Sequence, residues 1–97
     1  MRLNYAFSAS PDIRWLLDYY NKIFPSGRKK MEATIVATEN MIMENPYIGR
    51  PYKHCDDIRY IALARSPFAF IYRINDNEIE VLRVWDWRKD HAALRLE

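Results

Sequence analysis

The sequence predicts an α+β domain: an N-terminal strand, an antiparallel helical hairpin and a three-stranded antiparallel meander. Three observations predict it. A short alternating segment opens the chain, two stretches of helical periodicity follow, and three strand-like runs separated by tight turns close it. The whole chain, 97 residues, is the size of one domain, and residues 1–97 are read as a single unit.

Leu3, Tyr5 and Phe7 alternate with Asn4 and Ala6, the period of a first strand. Ser10-Pro11-Asp12 reads as a helix start: Ser10 caps, Pro11 has no N–H to lose, and Asp12 complements the helix dipole. Ile13, Leu16, Leu17, Tyr20, Ile23 and Phe24 then form one apolar stripe, and Trp15 and Tyr19 fall off it. Pro25-Ser26-Gly27 is expected to break this helix, with a second from about Arg28 to Glu44 and Asn45-Pro46 as its stop. Met31, Ile35, Met41 and Ile42 give the second helix its apolar face. The stretch from Tyr47 to Asp57 reads as a loop. Ile58 to Ala64, Phe68 to Ile74 and Ile79 to Trp87 read as the meander, with Ser66-Pro67 and Asn75-Asp76-Asn77 as its turns. The tail from Arg88 to Glu97 reads as a short helix or a mobile end.

Composition excludes several classes. With hydrophobic residues at 49% and charged residues at 29%, the chain can build a core and is not a disordered segment. Cys55 is the only cysteine, so an intramolecular disulfide and a cysteine zinc cluster are ruled out. The first residues lack the apolar run of a signal peptide, and no run reaches transmembrane length. A cytoplasmic protein without membrane contact is the expectation. The net charge of +2 neither demands nor excludes a nucleic-acid partner.

Familiar catalytic signatures are absent. Gly27 and Gly49 are isolated, so there is no phosphate loop, and His54 and His91 lack the spacing of a metal pair. No cofactor and no metal are expected. Cys55 beside His54 reads more simply as a spectator than as a thiol nucleophile, because neighbours in extended chain point apart. Arg28, Lys29 and Lys30 open the second predicted helix, where cations oppose the dipole; they suit an acidic partner, although a solvated face is the simpler reading. At the last strand, period two places Arg83, Trp85 and Trp87 on one face and Val84, Asp86 and Arg88 on the other, with Lys89 following. Indoles beside arginines suit base stacking or a protein interface; equally, they suit a core edge flanked by solvated cations. Arg59, Arg65 and Arg73 are expected to join Arg83 in one cationic concavity.

Taken with the order of elements, the stretches "NPYIGRPY" (Asn45 to Tyr52), "DIRYIAL" (Asp57 to Leu63), "FAFIYRI" (Phe68 to Ile74) and "IEVLRVWDWRKD" (Ile79 to Asp90) resemble the RelE/ParE toxin superfamily. The family pattern falls here on Pro46, Gly49-Arg50, Arg59, Tyr72-Arg73 and Trp85 to Lys89, and the resemblance covers nearly the whole chain. It implies the toxin of a type II toxin–antitoxin pair, causing growth arrest or plasmid stabilisation and held by a cognate antitoxin in a higher-order complex.

Two activities occur in that superfamily: ribosome-dependent mRNA cleavage in RelE-type members and poisoning of DNA gyrase in ParE-type members. For a ribonuclease, the resemblance implies Arg59, Arg88, Lys89 and His91, or His54 in place of His91, as the catalytic set acting on ribosome-bound mRNA. The pattern departs from that set. Ala69 stands where the nuclease relatives carry a basic residue, three positions before Tyr72, and the tail has no Tyr. The departure favours the gyrase branch; a toxin relative that survives only as a binding partner is the third alternative. Target contacts are then expected from Arg83, Trp85, Trp87, Arg88 and Lys89, with Arg59, Arg65 and Arg73. Antitoxin contacts are expected from Trp15, Tyr19, Arg28, Lys29 and Lys30.

Overall fold

A computed structural model describes residues 1–53, 55–89 and 94, with the backbone alone at 55 and 56. His54 and His91, and most of the tail expected to be helical or mobile, lie outside the described residues.

Strand β1 (Arg2–Tyr5) leads through a 3-10 turn (Phe7–Ala9) into helix α1 (Ser10–Ile23). Helix α2 (Pro25–Glu44) and a second 3-10 turn (Pro46–Ile48) follow. Strands β2 (Arg50–Tyr52), β3 (Cys55–Ala62), β4 (Phe68–Asn75) and β5 (Glu78–Asp86) complete the described elements. They form a five-stranded sheet in the order β1-β5-β4-β3-β2. The β3–β4–β5 meander is antiparallel, as its tight turns require, while β1 joins β5 in parallel. The expected α+β fold is therefore present, with one strand more than the sequence suggested.

That strand corrects the reading of residues 47–57 as a loop. Arg50 and Pro51 pair with Tyr60 and Arg59 at the sheet edge, where a proline is tolerated. The first strand also ends at Tyr5; Phe7 turns away and is 95% exposed.

The helix boundaries differ from expectation as well. Ala9, not Ser10, is the N-cap of α1, and no side chain caps it, because the 3-10 turn feeds directly into the helix. Only Phe24 separates the helices: its φ of −154° and ψ of 79° break the helical path, and Pro25 opens α2. Arg28 therefore closes the first turn of α2 instead of opening the helix, and the conflict of Arg28, Lys29 and Lys30 with the dipole is weaker.

The core lies between the helices and one face of the sheet. Leu16, Met31, Ile35 and Ile42 meet Phe68, Phe70, Tyr72, Ile79, Val81 and Val84. Ile13, Leu17 and Tyr20 pack at its margin, but Ile23 and Phe24 are exposed, so the buried stripe of α1 stops short of its predicted end. On α2, Thr38 takes the buried position and Met41 is exposed. The Thr38 hydroxyl donates to the Thr34 carbonyl at 2.7 Å, which satisfies it inside the core.

A bulge in the β4–β5 ladder places Leu82 between Val81, opposite Tyr72, and Arg83, opposite Ile71. Both Val81 and Leu82 are buried.

Candidate functional site

The 3-10 turn and then the first turn of α1 take over the edge of β5 where β1 ends. The Ala6 N–H donates to the Val81 carbonyl at 2.8 Å, and the Ser8 hydroxyl donates to the Leu82 carbonyl at 2.9 Å. Asp12 continues this series. Its Oδ2 accepts from the Val84 N–H at 3.0 Å, and its carboxylate grips Arg83 through Nε at 2.6 Å and NH2 at 3.0 Å. Arg83 in turn lies over the Trp85 ring, its guanidinium carbon 5.2 Å from the ring centroid. The Asp12 hydrogen bond raises the Arg83 pKa, so the guanidinium keeps its charge.

At the far end of β5 a second carboxylate organises the turn. Asp86 is 8% exposed, accepts from the Arg88 N–H at 3.0 Å, and holds the Arg88 guanidinium through Nε at 2.9 Å and NH2 at 2.8 Å. Those Arg88 bonds hold the Asp86 carboxyl below the usual carboxylate range. The Lys89 N–H donates to the Asp86 carbonyl at 2.9 Å, closing the turn. The turn sends the Lys89 side chain across to α1, where Nζ sits 5.1 Å from the Trp15 ring centroid.

Trp15 is therefore shared between two features. With Phe68, Trp85, Asp86 and Lys89 it lines a cleft of about 270 Å³ between α1 and β5. It also stacks on Tyr19, with ring centroids 5.4 Å apart and planes 16° from parallel. Trp15, Tyr19 and Ile23 are 50%, 37% and 67% exposed, and their spacing of four makes a continuous apolar ridge on α1. Ile23 also falls on the apolar stripe of α1, but its place eight residues after Trp15 and four after Tyr19 makes it part of this second, exposed stripe. The groove of about 240 Å³ along the ridge includes Asp18 and Lys22, but none of Arg28, Lys29 and Lys30. Arg28 instead pairs with Glu32 at 3.3 Å, while Lys30 lines a separate cleft with Tyr20 and Arg65.

Arg83, Trp85 and Trp87 do share the sheet face away from the helices. Arg83 and Trp85 stand opposite Ile71 and Ala69, and Trp87 stacks on Tyr60 at 4.5 Å with Tyr52 edge-on at 6.3 Å. Trp87 is thus partly a packing residue, 37% exposed. The Trp85 Nε1 is buried with no hydrogen-bond partner among the described residues.

The cationic concavity expected from Arg59, Arg65, Arg73 and Arg83 does not assemble. Arg59 pairs across the ladder with Tyr72 and Ile58 with Arg73, so strand alternation sends Arg59 and Arg73 to opposite faces. Arg65 lies in the β3–β4 turn at a φ of 60°, and Arg73 reaches Glu80 at 3.9 Å. Arg59 fastens the backbone instead. Its NH1 donates to the Gly49 carbonyl at 2.7 Å and more weakly to that of Tyr47 at 3.4 Å, and its guanidinium lies 4.9 Å from the Tyr47 ring centroid. Tyr72 closes the same buckle from below, donating to the Pro46 carbonyl at 2.7 Å and accepting from the Gly49 N–H at 3.0 Å. Gly49 is required here by close approach: a Cβ would lie 2.6 Å from the Tyr72 hydroxyl and 2.7 Å from the Tyr60 carbonyl. Pro46, Gly49, Arg59 and Tyr72 are thus one structural device, which sequence reasoning treated partly as a site.

A larger cleft, about 550 Å³, lies between α1 and α2 beside Ile13, Leu17, Ile35 and Val36. At its floor the Tyr5 hydroxyl donates to Glu39, and burial pushes the Tyr5 pKa well above its ordinary value. No group of His, Cys, Asp and Glu among the described residues is arranged to hold a metal ion, and no described helix is long and apolar enough to cross a membrane.

A search of curated proteins returned no match. Among solved structures, the chain is similar to one described as the chromosomal ParDE TA system from P. aeruginosa, with 28% sequence identity and a TM-score of 0.72. That likeness covers 87% of this chain and 92% of the other. The family described as the ParE toxin of type II toxin–antitoxin system, parDE, matches residues 4–91. The fastened β5 end, the aromatic ridge and the buckle at Gly49 therefore belong to a member of the ParE toxin family of type II toxin–antitoxin systems.

Proposed function

We propose that this toxin acts in the cytoplasm by inhibiting DNA gyrase, that a cognate antitoxin neutralises it in a higher-order complex, and that its working surface is the end of β5. The observation carrying this reading is the state of the arginines. A ribonuclease needs cations for the scissile phosphate beside a proton donor and acceptor. Arg59 is bound to two backbone carbonyls and Arg88 is clamped on Asp86, while position 69 offers only a buried alanine. The β5 end has instead the makings of a protein interface: Trp85 and Trp87 with Arg88 and Lys89 around them. Trp15 and Tyr19 supply the antitoxin surface.

The test uses two assays on the purified toxin. Supercoiling by gyrase should fall with toxin concentration, and transcripts on programmed ribosomes should stay intact. Transcript cleavage without any effect on supercoiling would replace the reading with the RelE-type activity. A Lys89→Ala variant, which leaves the Arg88–Asp86 pair in place, should stay folded and lose toxicity; full toxicity would remove the β5 end from the account.

A further inference from the structure

Positive charge is concentrated at the turn of the helical hairpin. Lys22, Arg28, Lys29 and Lys30 fall between Asp18 and Glu39 with Glu32 as the only carboxylate among them, so this stretch is more basic than the whole chain, whose net charge is +2. Glu32 is taken up by Arg28 at 3.3 Å. Beside it, a cleft of about 130 Å³ opens between the end of α1, the first turns of α2 and the β3–β4 turn. Tyr20, Phe24 and Met31 give the cleft an apolar wall, Lys30 and Thr34 stand on its α2 side and Arg65 on its turn side, and no carboxylate lines it among the described residues. The polar side chains here are unspent: Lys30, Thr34 and Arg65 make no side-chain hydrogen bond or ion pair among the described residues, unlike Arg59, Arg83 and Arg88. Arg65 also has a φ of 60°, the left-handed region that suits glycine. Its turn is held there by the Ser66 hydroxyl, which donates to the Leu63 carbonyl at 2.9 Å and accepts from the Phe68 N–H at 3.2 Å. Backbone strain of this kind collects at ligand sites.

The geometry points to a binding site for a phosphate dianion, free or as the monoester of a small molecule, held between Lys30 and Arg65 with the Thr34 hydroxyl as a third donor. Two cations match the charge of about −1.5 to −2 that such a group carries at neutral pH. The guanidinium offers its fork to two oxygens, and the ammonium and the hydroxyl meet the others. Size limits the ligand. The cleft is smaller than the roughly 300–1,000 Å³ of a site for a drug-sized molecule, so it takes the phosphate group and leaves the rest of a monoester outside. Phe24, 54% exposed, offers that remainder an apolar surface. A nucleic-acid backbone, with a single charge on each phosphate, is the poorer match. This cleft shares no lining residue with the two clefts that Trp15 lines, and it serves the toxin whichever target the β5 end engages. It also gives one ligand to Lys30 and Arg65, which the sequence assigned to two different partners.

The experiment titrates the full chain with inorganic phosphate, against chloride at matched ionic strength, and follows backbone amide shifts by NMR. Saturable shifts are expected at Lys30, Thr34 and Arg65. A Lys30→Ala/Arg65→Gly variant should bind phosphate about tenfold more weakly or worse, the worth of the lost charged hydrogen bonds. Glycine suits the left-handed φ at position 65, so this variant should fold as the parent does. Lys29→Ala removes the same charge outside the cleft and should change affinity by no more than about twofold, because exposed charges are screened. Shifts that never saturate, or an equal loss in Lys29→Ala, would overturn the site in favour of general attraction to a basic surface. Ribose 5-phosphate binding more tightly than phosphate would identify a monoester as the ligand, and equal or weaker binding would identify free phosphate. Displacement of phosphate by a single-stranded oligonucleotide without terminal phosphates would overturn the dianion assignment, and displacement by an acidic peptide would return these cations to a protein partner.

Discussion

Replacing Tyr72 by phenylalanine removes one oxygen atom and disconnects the buckle that holds residues 46–49 on the sheet. The hydroxyl donates to the Pro46 carbonyl and accepts from the Gly49 N–H, and the ring itself is fully buried. Burial pushes the Tyr72 pKa up, so the hydroxyl stays protonated and keeps donating at neutral pH. Phenylalanine keeps the packing but strands a buried N–H, which costs about 1–3 kcal/mol, and loses a net bond to Pro46 worth about 0.5–1.5 kcal/mol. Together, roughly 2–4 kcal/mol should disappear from the stability of the purified chain. For a domain of this size that is a fall in Tm of about 10–20 °C. Urea denaturation followed by tryptophan fluorescence should show a lower midpoint with an unchanged slope. A loss below about 0.5 kcal/mol would mean that water replaces the hydroxyl and that Arg59 alone fastens the loop.

Gly49→Ala should destabilise by about 1–3 kcal/mol through overpacking against Tyr72 and Tyr60, measured by the same denaturation. Asp12→Ala strands the Val84 N–H and leaves Arg83 without that carboxylate; a loss of about 1.5–3 kcal/mol is expected, and unchanged stability would deny Asp12 its fastening role. Because the Asp86 carboxyl is held low when folded, its contribution is complete above the ordinary carboxylate range. It is lost as pH falls through the folded value. Asp86→Asn should therefore lower stability at neutral pH and flatten the acid limb of the stability curve, and an unaltered acid limb in pH-stepped denaturation would contradict the assignment.

The meander and both helices were legible because hydrophobic period and turn chemistry are local properties. Phe68 to Ile74 needed no tertiary information to read as a strand, nor did Leu16 and Ile35 to read as core. Edges of elements were less legible. Strand β2 has a proline at its centre and exists through pairing with β3, and α2 starts at Pro25 because one extended residue, Phe24, suffices to turn the chain. At the site, the period-two face of Arg83, Trp85 and Trp87 followed from strand geometry. The contact of Lys89 with Trp15 joins positions far apart in the sequence, and no local pattern announces it.

The roles of the cations also depended on partners invisible in the sequence. Arg59, Arg83 and Arg88 carry a planar fork of donors, and each is spent on an internal acceptor: two loop carbonyls, the Asp12 carboxylate and the Asp86 carboxylate. A guanidinium suits that work because it satisfies two acceptors in fixed geometry. Lys22 and Lys89 have single, rotatable charges, and Lys89 rests on the face of the Trp15 ring. Two of these fasteners frame the cleft between α1 and β5: Arg83 on Asp12 ties the helix start to the strand, and Arg88 on Asp86 fixes the turn that projects Lys89. The rigid pairs thus set where Trp15, Trp85 and Lys89 stand, and the interface gains its preorganisation from residues that have no need to touch a partner.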